Sequence, residues 1–128
     1  MSLKSYLDFV CTAQNLEDLW DGHVAQMQTF GFDKLFYGYT RCITDNSLGD
    51  PDDFVVLTNH EDAYLDGYLH GGLYFHAPML RWALENEGAG SWRIARDLAS
   101  SGKLSAEAQK VLEFNDLLGL TAGYTVSF

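Results

Sequence analysis

Hydrophobic positions recur at helical spacing over the first 30 residues of the chain. Leu3, Leu7 and Val10 form one apolar stripe, and a second apolar series runs over residues 16–30. Asn15 stands directly before the second series, where its side chain can cap the first turn of a helix. The pattern therefore predicts two consecutive helices at the start of the chain.

The next segments have the composition of strands. Residues 35–43, "LFYGYTRCI", and residues 54–58, "FVVLT", are rich in aromatic and β-branched side chains, and residues 44–53 between them form a polar turn. We therefore predict an antiparallel hairpin. A third strand is predicted at residues 122–128, "AGYTVSF".

Helical signals dominate the chain between the hairpin and the third strand. Asn59 is predicted to cap a helix that carries Tyr64 and Tyr68 on one face, and Pro78 suits the first turn of another. Residues 87–92, "EGAGSW", read as a loop. Ser105 is predicted to cap the last helix, after a short helix at residues 93–102. This order predicts one α+β domain over residues 1–128, with helices packed on the faces of an antiparallel sheet.

Composition narrows the classes of function. The net charge of −10 argues against direct contact with nucleic acid, whose phosphates attract Lys and Arg. The sequence shows neither an apolar run long enough for a membrane span nor a signal peptide at its N-terminus, so we expect a cytoplasmic protein with no membrane partner. Cys11 and Cys42 are expected to be free, buried thiols in a reducing compartment.

Catalytic and metal-binding motifs are not recognised. His60, His70 and His76 fall close together, but their spacing matches no helical ligand pair, and half-buried imidazoles are the simpler interpretation. There is no G-x-S-x-G elbow and no phosphate-binding glycine loop. We therefore expect neither an enzyme nor a metal or cofactor.

Aromatic residues are the most informative candidates. Tyr64 and Tyr68 share a helix face, Tyr37 and Tyr39 lie on the first predicted strand, and Trp92 lies in the predicted loop. Together they would form the wall of an apolar pocket with a few hydrogen-bond donors, as small-molecule sites do. A tyrosine stripe that only fills a core is the alternative.

These residues also carry a family resemblance. The autoinducer-binding domain of LuxR-type quorum-sensing regulators has a Trp, a Tyr four residues on, Asp-Pro nine residues later and a Trp fifteen residues after the Asp. The matching places here hold Tyr64, Tyr68, Ala77-Pro78 and Trp92, without a gap. The segments "LEDLW…MQTFGFDKLFYGY" and "LSAEAQKVLEFNDLLGLTAGYTV" resemble the family's opening and late elements, so the likeness covers almost the whole chain.

The resemblance implies a fold and roles for individual residues. The fold would be an antiparallel sheet sandwiched between helical layers, with an acyl-homoserine lactone or a related small amphiphile between sheet and helices. Tyr68 would donate to the acyl amide carbonyl and Tyr64 to the lactone carbonyl. Trp92 would pack on the lactone ring, and Leu80 would contact the ligand near its acyl chain. The resemblance also implies a homodimer.

Three departures from the family pattern follow from the same comparison. Ala77 replaces the Asp that accepts the ligand's amide N–H and caps the next helix, and Tyr64 replaces a Trp. In the family, further strands and a DNA-binding helix-turn-helix domain follow the strand at 122–128, so the chain resembles a sensing domain truncated at its C-terminus. The alternative function is a ligand-independent module that dimerises with a full-length regulator.

Overall fold

The computed structural model of the chain describes residues 2–41 and 49–128. These residues form two compact units. Among the described residues, the first unit holds 2–41 and 52–61, and the second holds 49–51 and 62–128. None of the helices in these ranges has the length and apolar character of a membrane span.

Two helices and a strand pair make up the first unit. The helices are α1 (Leu3–Thr12) and α2 (Leu16–Gln28), and the strands are β1 (Phe36–Tyr39) and β2 (Val55–Thr58). The strands pair antiparallel, from Phe36 opposite Thr58 to Tyr39 opposite Val55. The predicted helices and the predicted hairpin are therefore confirmed. Residues 44–48 of the predicted polar turn, and Cys42, lie outside the described residues.

Local capping explains where α2 begins. The Asn15 side chain accepts a hydrogen bond from the backbone N–H of Asp18 at 2.8 Å, as predicted. Asn59 was also predicted to be a cap, and this was wrong. Its Oδ1 accepts from the N–H of Leu35 at 2.7 Å and its Nδ2 donates to the carbonyl of Asp33 at 2.8 Å. Asn59 thus ties the end of β2 to the segment before β1.

Helix α1 packs on α2 through a different face from its aliphatic stripe. The Phe9 ring lies directly over Gly22, where a Cβ atom would not fit. The Tyr6 hydroxyl is hydrogen-bonded to Nδ1 of His23 at 2.6 Å. Cys11 is free, but the expectation that it is buried was wrong. It lies two residues after Phe9, about 200° around the helix, and is therefore exposed.

In its described residues, the second unit contains four helices and a second strand pair. Its helices are α3 (Asp62–Leu65), which continues as a π-helical turn (Asp66–His70), α4 (Pro78–Glu85), α5 (Arg93–Ser100) and α6 (Ala106–Leu117). Its strands are β3 (Gly88–Ser91) and β4 (Tyr124–Ser127), and a short 3-10 turn lies at Leu73–His76. Another 3-10 turn, Pro51–Asp53, has its first residue in this unit and the other two in the first unit. The predicted cap is confirmed at Ser105, whose side chain accepts from the N–H of Ala108.

Strand β3 corrects the sequence interpretation. Residues 87–92 were predicted to be a loop, but Gly88–Ser91 pairs antiparallel with β4. Glycine, alanine and serine have little intrinsic preference for strands, so no local pattern indicated one. Gly90 is required by packing, because a Cβ there would lie 2.8 Å from the Trp82 ring. The described strands form two separate pairs rather than one three-stranded sheet, and the α+β class is confirmed.

Candidate functional site

Tyr64 and Tyr68 form a stacked pair on the helix after β2. Their ring centroids are 5.1 Å apart and their planes differ by 15°. Tyr64 belongs to α3 and is 8% exposed, whereas Tyr68 belongs to the π-helical turn and is half-buried. That turn is closed by the N–H of Gly71 donating to the carbonyl of Asp66 at 2.7 Å. Single π-helical turns are frequent at functional sites.

Helix α6 contributes Phe114 to the same face. The Phe114 ring stacks on Tyr64 with centroids 6.1 Å apart and planes at 23°. It also covers Gly67, where an added Cβ would lie 2.5 Å from Cζ of Phe114. Glycine at position 67 therefore lets α6 approach the tyrosine-bearing helix. Sequence reasoning missed Phe114, although it follows the buried Val111 by three residues on the same helix.

The 3-10 turn before α4 completes a group of five rings. Tyr74 meets Tyr68 edge-on with centroids 6.3 Å apart, and Phe75 stacks on Tyr74 at 4.3 Å. Tyr74 is 2% exposed, whereas Phe75 is exposed. We call Tyr64, Tyr68, Tyr74, Phe75 and Phe114 the aromatic cluster. Tyr74 and Phe75 were not predicted as site residues, since the periodic pattern stops at Gly71.

The tyrosine hydroxyls of the cluster remain protonated well above neutral pH. Burial raises the pKa of Tyr68 to about 12. Burial, and to a smaller extent the neighbouring Tyr68, raises the pKa of Tyr64 still further. Burial and the negative charge of Asp50 raise the pKa of Tyr74. Each hydroxyl is therefore a neutral group that can donate one hydrogen bond, not a phenolate.

Ala77 and Leu80 lie at the start of α4. Ala77 is 7% exposed and occupies the capping position in extended conformation, with Pro78 in the first turn. Its carbonyl accepts from the N–H of Arg81 at 3.1 Å, but its methyl group makes no side-chain cap. Leu80 is half-buried in the same first turn. The first turn of α4 thus lacks a side-chain acceptor at the capping position, as the sequence predicted.

Trp92 directly precedes α5 and is hydrogen-bonded to Thr125 of β4 and to Gly123 before that strand. Its backbone N–H donates to the carbonyl of Gly123 at 2.9 Å, and its indole Nε1–H donates to Oγ1 of Thr125 at 3.1 Å. An added Cβ at Gly123 would lie 3.1 Å from Cε2 of Trp92, so the indole covers that residue. Trp92 lies in the turn between β3 and α5, so its predicted place in a loop is confirmed, although Gly88–Ser91 before it is a strand. Within the described residues it makes no ring contact with the aromatic cluster.

Comparison with known families identifies the chain. The autoinducer binding domain family matches residues 15–128. This chain belongs to that family. It is a signal-sensing domain of the LuxR type, as the sequence resemblance predicted. Neither a curated protein nor a solved structure matches the chain.

Of the remaining candidates of this autoinducer-binding domain, three belong to the first unit and two belong to the second unit, which holds the aromatic cluster. Tyr37 and Tyr39 lie on β1 of the first unit, where Tyr37 is half-buried and Tyr39 is exposed. His60 is half-buried in the first unit, and burial lowers its pKa, with a smaller contribution from the positive charge of Lys34. His70 and His76, in the second unit, are exposed. Over residues 2–41 and 49–128, no three His, Cys, Asp or Glu side chains are grouped as metal ligands.

Proposed function

We propose that this autoinducer-binding domain binds an acyl-homoserine lactone, or a related small amphiphile, without transforming it. The binding residues we assign are Tyr64, Tyr68, Ala77, Leu80 and Trp92. The observation that carries the proposal is the stacked pair of Tyr64 and Tyr68, whose neutral hydroxyls can act as donors beside apolar rings. Small-molecule sites combine such an apolar wall with a few directional polar groups.

The two hydroxyls match two acceptors of the ligand. Tyr68 would donate to the acyl amide carbonyl and Tyr64 to the lactone carbonyl. Because the two rings stack with centroids 5.1 Å apart, the pair would favour a ligand that carries two carbonyl acceptors close together. Leu80 would contact the acyl chain, and the face of the Trp92 indole would contact the lactone ring.

Position 77 makes this site differ from its relatives. The ligand's amide N–H is a donor, and the methyl group of Ala77 offers it no acceptor. An unpaired buried donor costs about 1–3 kcal/mol, which weakens binding by roughly 5- to 150-fold. We therefore propose moderate affinity for unmodified lactones, with a preference for analogues that lack the amide N–H.

Signal binding would act through stability and association. A ligand that binds only the folded state stabilises it by mass action, and a ligand-stabilised domain would form a homodimer more readily. We propose that this occurs in the cytoplasm and is transmitted to DNA by a separate helix-turn-helix domain. The charge of −10 fits a domain that does not itself touch DNA.

Thermal unfolding against lactones of varied acyl length tests the proposal. A lactone at 100 times its dissociation constant should add about 2.7 kcal/mol to the stability and raise Tm by several degrees. Tyr68→Phe removes one donor and should reduce the affinity by about 2- to 12-fold. Tyr124→Phe is the matched control, since Tyr124 lies on β4 with an exposed side chain. A folded chain whose Tm responds to no lactone would refute the proposal.

A second candidate function rests on the outward face of β4. Tyr124 and Val126 are each 61% exposed, and Phe128, which follows the strand, is 91% exposed, so this segment presents an apolar surface. Such a surface suits a module that dimerises with a full-length regulator without ligand. Mixing the chain with a full-length LuxR-type regulator and measuring the mass of the species by light scattering tests this function. Val126→Lys should abolish a complex that forms through this face.

A further inference from the structure

Strand β4 has an unusual distribution of side chains. Its hydroxyl residues make internal hydrogen bonds, whereas its apolar residues face outward. Thr125 accepts from the Trp92 indole, and Ser127 donates to the carbonyl of Ala83 in α4 at 2.6 Å. A strand that buries one face normally directs its apolar side chains inward. The inward hydroxyls of β4 therefore serve specific partners.

Three contacts fix the orientation of Trp92, two of them with Gly123, directly before β4, and one with Thr125 in β4. The backbone bond to Gly123 holds the main chain, the packing on Gly123 holds the ring plane, and the bond to Thr125 holds the indole edge. An indole has one N–H and no other polar atom. Since Thr125 accepts that single N–H, Trp92 has no donor left for a ligand and can offer only its apolar ring face.

We propose that Thr125 is a positioning residue of the signal site, which directs the ring face of Trp92 toward the ring of the ligand headgroup. The inference rests on the proposed function. It adds that selectivity for a ring-bearing headgroup is set from β4, 33 residues along the chain from the tryptophan. The Tyr64 and Tyr68 hydroxyls then donate hydrogen bonds to the ligand, and Trp92 contacts the headgroup ring only through its apolar ring face.

The experiment compares two ligand classes on the full 128-residue chain. The probes are N-acyl-homoserine lactones and N-alkyl amides of the same acyl chain, which keep the amide but lack the headgroup ring. Affinities are measured by calorimetry for the wild type, Thr125→Val and Thr125→Ser. Valine has nearly the shape of threonine without the hydroxyl, and serine keeps the hydroxyl.

Thr125→Val should weaken lactone binding by about 2- to 12-fold, the range for one neutral hydrogen bond, and leave binding of the open-chain amide within twofold. Thr125→Ser should restore the lactone preference. Ser127→Ala is the matched control, since it removes a hydroxyl from the same strand that bonds to Ala83 and not to Trp92. It should lower stability without changing the preference between the two probes.

A double-mutant cycle separates positioning from general stabilisation. Trp92→Phe retains an aromatic face and removes the N–H, so Thr125→Val should have no further effect on lactone affinity in that background. If the wild type binds lactones and Thr125→Val keeps the same ratio of lactone to amide affinity, the role of Thr125 is refuted while the proposed function stands. If the wild type binds neither probe, the proposed function fails, and this inference fails with it. A Thr125→Val chain that loses affinity equally for both probes would also overturn it.

Discussion

Replacing Ala77 with aspartate would restore an acceptor at the start of α4. Ala77 occupies the capping position of this helix, and its methyl group leaves the N–H groups of Met79 and Leu80 without a side-chain cap. An aspartate there gains about 0.5–2 kcal/mol as a cap. Ala77 is only 7% exposed, so the carboxylate also loses hydration, which the helix dipole offsets in part. We therefore expect the free energy of unfolding without ligand to change by no more than about 1 kcal/mol.

Ligand affinity should respond much more strongly to this substitution than stability does. A hydrogen bond from the ligand's amide N–H to a charged acceptor is worth about 1.5–3 kcal/mol, which corresponds to a gain of roughly 10- to 150-fold in lactone affinity. Stability is measured by urea denaturation without ligand, and affinity by calorimetry with the lactone that most stabilises the wild type.

Ala77→Asn is the matched control, because asparagine caps helices about as well as aspartate but is neutral. It should give a gain of only about 2- to 12-fold in affinity. Equal gains for both variants would show that the cap, and not the charge, improves the site. A folded Ala77→Asp variant with unchanged or weaker lactone binding would refute the placement of the ligand's amide beside residue 77.

Three further predictions concern stability. Gly67→Ala should destabilise the chain by about 1–3 kcal/mol, despite alanine's better helix propensity, because its Cβ would meet the Phe114 ring. Phe114→Leu should relieve this loss. Urea denaturation that shows Gly67→Ala to be stabilising would contradict the packing of Phe114 on Gly67. Asn15→Ala should lower the unfolding free energy by about 1 kcal/mol in the same assay, whereas Asn15→Asp, which keeps a capping oxygen, should not. Burial raises the pKa of Tyr68 to about 12, above the ordinary value near 10, so the unfolded chain loses this proton at lower pH than the folded chain does. The free energy of unfolding should therefore fall as pH rises from about 10 to about 12. Tyr68→Phe should make that fall shallower, and an identical pH dependence would show that Tyr68 titrates normally.

The caps at Asn15 and Ser105, the helices and the hairpin of this domain were predictable because their determinants are local. The side chain of Asn15 reaches an N–H three residues away, and Ser105 does the same. The four-residue spacing of Tyr64 and Tyr68 places both rings on one helix face whatever surrounds them. The match of these tyrosines, Pro78 and Trp92 to the family pattern was also readable from spacing, and it led to the correct family.

Contacts between distant parts of the chain were beyond such reasoning. Gly88–Ser91 becomes a strand because β4 supplies its hydrogen-bond partners and Trp82 leaves no room for a side chain at Gly90. Phe114 reaches the tyrosine pair because Gly67 leaves space for its ring, and Trp92 is oriented by Thr125. The periodicity of the sequence shows which side of a helix or strand is apolar. It does not show which elements pack against each other, because that depends on contacts between residues tens of positions apart.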